Sequence, residues 1–255
     1  MRNLREERLG ERFITNEGYI VVIVEYNNQR NVLVEFQDEH KARIPTLYQC
    51  CQKGTIKNPF HKSVYGVGYI GQGKYKSRVD GKITEYYIDW HSMMVRCYSK
   101  KCYRNYNSYE DVKVCDEWLN FQNFASWWHN NYYEVEGERM DLDKDILCKG
   151  NKIYAPDKCI FVPERINTLF VKCDVSRGDC PIGVSYNNWN NKYQAYCNTL
   201  DNHEYLGYFD TPHEAFQAYK TFKEAYIKQV ADEYKDKIPQ RLYDAMYAWE
   251  VEIDD

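Results

Sequence analysis

Residues 182–219, IGVSYNNWNNKYQAYCNTLDNHEYLGYFDTPHEAFQAY, carry the pattern that decides the fold. Ile182–Tyr186, Tyr193–Asn198 and Glu204–Phe209 alternate in the manner of strands, and polar turns at Asn187–Asn191 and Leu200–His203 divide them. The period then changes. Thr211 is a good N-cap, Pro212 suits a first helical turn, and Glu214 stands three residues after Thr211, which makes a capping box. The helix is predicted to run from Pro212 to about Tyr234, with a shorter one over Gln240–Trp249. The stretch therefore predicts a three-stranded antiparallel sheet packed on a helix.

Upstream, the chain changes character several times. Tyr19–Glu25 and Asn31–Phe36 are β-branched runs split by a polar turn, and Ala42–Ile44 adds a third extended segment. Together they predict a small β-barrel or meander. Lys53–Tyr75 is rich in Gly, Pro and Lys and reads as loops, either a turn-rich edge or a linker that tracks phosphates. Tyr87, Trp90, Met94 and Cys97 recur at helical spacing, as do Trp118, Phe121, Phe124 and Trp128 within 116–132. Glu138–Ile146 reads as a turn and a short extended segment, and Ala155-Pro156-Asp157 as the start of a short helix. Residues 171–180 are polar and read as a linker. The expected class is α+β, divided as 1–80, 81–172, 173–237 and 238–255, the last a helix with an acidic tail.

Composition narrows the function classes. The chain has 255 residues, of which 44% are hydrophobic, enough for two or three small cores. Tyr accounts for 25 residues, and its apolar ring with a polar tip suits a wet contact surface as well as a thin core. The mean hydropathy of -0.76 fits a well-solvated chain, and no apolar run is long enough to span a membrane. The N-terminus MRNLREERLGERF is charged and lacks the apolar stretch of a leader, so a cytoplasmic location is expected. There the ten cysteines would be mostly thiols, and the absence of a C-x-x-C pair gives little support for zinc. The net charge is -4 and the pI about 5.9, which runs against nucleic-acid binding. The distribution runs the other way, because residues 1–80 hold thirteen basic and nine acidic side chains.

The C-terminal stretch resembles an AP2 domain. The residues that carry the resemblance are Gly183-Val184, Lys192-Tyr193-x-Ala195, Leu206-Gly207-x-Phe209-Asp210-Thr211 and Glu214-Ala215-x-x-Ala218-Tyr219. The resemblance implies a sheet laid in a major groove of double-stranded DNA, with the helix behind it. The reading positions it implies are Asn187, Asn188, Trp189, Lys192, Tyr193, Gln194 and Tyr196. Among them are one Lys and no Arg, so weak affinity is expected of this module alone. The more basic N-terminal module is then the expected source of affinity, by contact with DNA or with a partner.

The stretch 87–167 resembles phage-encoded HNH-like proteins of the homing-endonuclease type that carry AP2 modules. It matches in Trp90-x-x-Met93-Met94-x-Arg96-Cys97, Val114-Cys115-x-x-Trp118-x-x-Phe121-x-x-Phe124 and Leu142-Asp143-Lys144-Asp145-Ile146, then in Gly150-Asn151, Tyr154-x-Pro156-x-x-Cys159 and Val162-Pro163-x-x-x-Asn167. The resemblance implies a ββα element holding one divalent metal, Mg2+ or Mn2+, that stabilises charge on a phosphodiester during cleavage. It places Asp143, Lys144, Asp145 and Asn151 at the site, with Asp143 and Asp145 as metal ligands. The usual His is missing, because no His lies between His129 and His203. Asp143 or Asp145 would then act as base, unless His91 or His129 reaches the site. Asp141, Asp143 and Asp145 would share one face of an extended segment, either as a site or as a solvated acidic edge. Cys97, Cys115 and Cys159 are read as small buried thiols, or as a structural zinc site with Cys102 or Cys148.

The expectation is thus a phage-type DNA endonuclease or nickase. The rival is a degenerate HNH/AP2 protein that regulates, or serves host takeover or anti-defence, by binding DNA or a host protein.

Overall fold

The computed structural model describes residues 4–99, 111–171, 180–200 and 202–255. Cys102, and nearly all of the expected linker, lie outside them. The class is α+β. The chain divides into two compact units, Met1–His129 and Asn130–Asp255, and each is described by itself.

In the first unit, Arg12–Ile14, Ile20–Asn28, Asn31–Phe36 and Arg43–Thr46 pair in sequence order as an antiparallel meander. The sheet is open, so of the two expected forms it is the meander and not the barrel. Val21 and Ile23 point into the core, and so do Val32, Val34 and Phe36 across from them. After Ile23 the buried position moves to Tyr26, because a bulge inserts one residue and reverses the facing of everything beyond it. The short helix Tyr48–Lys53 closes this core and ends on Gly54 in the left-handed region, φ 64°, where a Cβ would lie 2.8 Å from the Ile14 carbonyl oxygen.

The aromatic helices follow the expected spacing. Trp90, Met93, Met94 and Cys97 are the buried face of Glu85–Tyr98, and the Trp90 indole donates to the Trp118 carbonyl at 2.7 Å. The second expected helix is broken. Asp116–Leu119 and Phe121–Asn131 are separated at Asn120, whose side chain accepts from the Gln122 amide at 3.0 Å. The Gly-rich stretch packs against this break. Gln122 donates to the carbonyls of Ile70 and Tyr75 and accepts from the Tyr75 amide, while Gly71 and Gly73 lie where a Cβ would overlap Asn120 and Gln122. Residues 70–75 are therefore a fitted edge of the core.

In the second unit, Met140–Asp143 pairs antiparallel with Ile160–Pro163, and the helix Glu164–Thr168 follows directly. The helix expected to start at Ala155 is a single turn instead, in which the amides of Lys158 and Cys159 return to the Ala155 carbonyl. The C-terminal sheet is Val184–Asn187, Lys192–Asn198 and His203–Phe209, all antiparallel. Its helix runs Pro212–Tyr234 with the expected capping box complete. Thr211 Oγ1 accepts from the Glu214 amide at 3.2 Å, and Glu214 accepts from the Thr211 amide at 3.1 Å. This helix serves two cores. Ala215, Phe216 and Tyr219 pack on the sheet, and Ile227, Val230, Ala231 and Tyr234 pack with Val162, Ile166, Leu242 and Met246. The acidic tail is docked, with Val251 in the sheet core and Asp255 accepting from Lys149 Nζ at 2.6 Å and from the Glu252 amide at 2.8 Å. No described helix is long and apolar enough to cross a membrane.

Candidate functional site

The open face of the C-terminal sheet is built by pairing. Val184, Ala195 and Cys197 face the helix, so Ser185, Asn187, Gln194 and Tyr196, which alternate with them, face away. A bulge in the third strand extends this face. Ala195 is opposite Gly207 but Tyr196 is opposite Tyr205, which leaves Leu206 over to pack inward. Gly207 makes the turn of backbone at φ 127°, which L side chains rarely adopt. Tyr205 and Tyr208, three residues apart, consequently stand on the same side with ring centroids 5.4 Å apart.

A continuous row of side chains results. Gln194 donates to Ser185 Oγ at 2.9 Å, and Asn187 donates to Gln194 Oε1 and to the Tyr208 hydroxyl oxygen, both at 3.3 Å. Tyr205 lies 5.5 Å from Tyr196, and Tyr196 stacks on His203 at 4.7 Å. Trp189 stands at the tip of the first hairpin, 98% exposed. The turn beneath it is ordered by Asn187, which accepts from the Trp189 amide at 2.9 Å, and by Asn191 in the left-handed region at φ 53°. At that exposure the indole adds almost no apolar burial to the fold.

Of the residues the sequence pointed to, Asn187, Gln194 and Tyr196 share this face, and Asn188 and Trp189 lie on the adjoining turn. Lys192 begins the central strand opposite Asn187, on the same face, and is paired with Asp210 at 2.9 Å. Tyr193 is on the helix side, against Tyr186 and the sheet core. Tyr205, Tyr208, Ser185 and His203 were not singled out, and they complete the row.

The hairpin loop gathers the other candidates. Asp143 ends its strand with Oδ1 accepting from the amides of Asp145 at 2.8 Å and Ile146 at 2.7 Å. Burial pushes its pKa up, against the pull of those two amides. Lys144 is buried and its ammonium reaches Asp145 Oδ2 at 2.5 Å. Asn151 clamps the loop by donating to the carbonyls of Lys144 at 2.9 Å and Ile153 at 2.7 Å. All four are thus near one another, and each holds the backbone or another of the four. Outside this loop, strand and helix are bridged by side chains: Asn167 donates to Asp141 Oδ2 at 3.2 Å, and Arg139 links Asp141 to Glu164 at 3.1 and 3.0 Å. Asn167 was visible as a matched position, but only the fold brings it to Asp141.

Hard oxygen donors such as Asp143 and Asp145 suit Mg2+ or Mn2+, which take one or two carboxylates and keep their waters. Among the described residues, no three His, Cys, Asp or Glu side chains are grouped to hold a metal. Cys97 and Cys115 belong to the first unit, and Cys148 and Cys159 to the second. His91 and His129 belong to the first unit, where His91 stacks on Tyr87 and His129 on Tyr75. The chain matches no protein-family model, no curated protein and no solved structure.

Proposed function

We propose that this protein binds duplex DNA through the open face of its C-terminal sheet, in the manner of the AP2 domain that its residues 183–219 resemble. The observation that carries the reading is the exposed aromatic and amide row that ends in Trp189. Asn and Gln side chains can pair with base edges, and tyrosine and tryptophan rings pack on sugars and bases. Lys192 is the only Lys or Arg of the three strands, so affinity from this face comes mainly from stacking and amide contacts rather than from phosphate neutralisation. The test is fluorescence anisotropy with duplex DNA over a salt series. Trp189→Ala should weaken binding about tenfold while leaving stability unchanged. Binding that is absent at low salt, or indifferent to Trp189→Ala and Tyr208→Ala together, would reject the reading.

Cleavage is the second reading, favoured by the hairpin-then-helix order of Met140–Thr168 with Asp141 and Asn167 facing each other across it. In it Asp143 and Asp145 would hold Mg2+ or Mn2+, and the metal would stabilise charge on the phosphate. Nicking of supercoiled DNA that disappears in both Asp141→Asn and Asp143→Asn supports it. No nicking with either metal leaves a protein that binds without cutting, consistent with regulation or host takeover.

A further inference from the structure

Lys223 is a largely buried cation with no ion pair to a described residue. It lies on the inner side of Pro212–Tyr234, one turn from buried Tyr219 and one turn from buried Ile227, and it is only 9% exposed. No hydrogen bond or ion pair reaches its amine from any described residue. The one titratable neighbour that acts on it is the Cys197 thiol, and burial pulls its pKa down. The stem is laid on apolar surface while the amine itself is not sealed in the core, the arrangement by which a long cationic side chain keeps its head at an opening.

The amine borders a cavity of about 480 Å3 at the end of the first strand of the C-terminal sheet. That volume falls within the range of small-molecule sites. Ile182 and Val184 give it an apolar wall, Tyr196 and Tyr219 give it rings, and Ser185 and His203 give it polar groups. None of its described lining residues is acidic. A pocket with apolar walls, one cation and no acidic side chain among its described lining residues is complementary to a planar, anionic molecule, whose charge would pair with Lys223.

We propose that this cavity binds a phosphate-bearing ligand of nucleotide size, with Lys223 as its counter-ion and the rings of Tyr196 and Tyr219 against its base. The site shares Ser185, Tyr196 and His203 with the face proposed for DNA, but it does not require that reading, because a free nucleotide would satisfy it as well as the 5′ end of a strand.

The full chain is titrated calorimetrically with adenosine monophosphate, adenosine, inorganic phosphate and a short 5′-phosphorylated single strand, beside Lys223→Met. The variant keeps the stem and removes the charge, and its fold is checked by denaturant unfolding. The monophosphate should bind and adenosine should not, and Lys223→Met should weaken the monophosphate at least about tenfold, the worth of one charge-assisted hydrogen bond. The phosphorylated strand binding more tightly than the monophosphate would identify a strand end as the source, and the reverse a free nucleotide. In the wild-type protein, amine labelling at Lys223 read by mass spectrometry should be slowed by the monophosphate and not by adenosine. Equal monophosphate affinity in a folded Lys223→Met, no binding of any phosphate compound up to about 10 mM, or unprotected labelling at saturation would each overturn the proposal.

Discussion

Asp143 is the residue at which a structural role and a chemical one can be separated. Its Oδ1 accepts from two backbone amides, at 2.8 and 2.7 Å, and so shapes the turn that begins the hairpin loop. A hydrogen bond to a charged acceptor is worth about 1.5–3 kcal/mol, and here two share one oxygen. Asp143→Ala removes both and strands two enclosed amides, so it should cost about 2–4 kcal/mol of stability. Asp143→Asn keeps an acceptor oxygen and should cost under about 1 kcal/mol. The two variants also differ in pH dependence. Burial raises the Asp143 pKa in the folded protein above its ordinary 3.8. A carboxyl with a raised folded pKa contributes its stability fully below 3.8, and that stability is lost as pH rises through the folded value. The wild type should therefore lose ground to Asp143→Asn as pH is raised from 3.8 upward. Urea unfolding of the three proteins at a series of pH values measures both effects. If Asp143→Ala is as stable as the wild type, the carboxylate does not hold the turn. If the Asn difference is flat with pH, the carboxylate is not enclosed. Because Asp143→Asn keeps the loop, it is also the variant in which lost nicking reports on chemistry rather than on unfolding.

Thr211→Ala removes the capping oxygen of the long helix and should lower stability by about 1 kcal/mol, read from the urea midpoint at unchanged slope. Gly183→Ala should be worse, by about 2–4 kcal/mol, because φ is +74° and the new methyl would lie 2.1 Å from the Tyr219 ring. A thermal scan in which Gly183→Ala melts with the wild type would contradict the close approach. Lys149→Met takes a charged donor from the enclosed Asp255 carboxylate, and should cost about 1–3 kcal/mol by urea unfolding.

What the sequence made legible was local. The capping box at Thr211, the aromatic spacing of Glu85–Tyr98 and the strand runs each lie within a few residues, and the elements formed where those signals stood. What it hid depends on pairing. Tyr205 and Tyr208 are an odd number of positions apart, so alternation assigns them to opposite faces, and only the bulge at Leu206 reunites them. Tyr193 suffers the converse, since strand pairing with Tyr186 decides that it faces the helix. The break at Asn120 has no helix-breaking residue to announce it, and it answers to backbone pairing with Tyr69, far earlier in the chain. Lys223 looks like an ordinary solvated charge until its helix is placed on the sheet. The acidic candidates in 141–145 were readable as a cluster, but their uses were not: Asp143 caps a turn, Asp145 meets Lys144, and Asp141 finds Asn167 on a helix more than twenty residues away.

The long helix limits how the two proposed activities can be taken apart. Its first half completes the sheet core through Ala215, Phe216 and Tyr219, and its second half completes the hairpin core through Ile227, Val230, Ala231 and Tyr234. A fragment ending before the helix would expose the inner face of the sheet, and one ending within it would expose Val162 and Ile166 beneath the hairpin. Either cut removes apolar burial worth about 25 cal/mol per Å2 from the piece that remains, while the entropy of ordering that piece is unchanged. Sheet and hairpin should therefore unfold as one cooperative unit, and a deletion that loses DNA binding would say nothing about the sheet face. Point substitution at exposed positions avoids this. Trp189 touches neither core, so its removal alters what the sheet can hold while the hairpin and its carboxylates stay as they are. Nicking that persists in Trp189→Ala at raised DNA concentration would place cleavage outside the sheet. Nicking lost in proportion to binding would make the sheet the means by which the hairpin meets its strand.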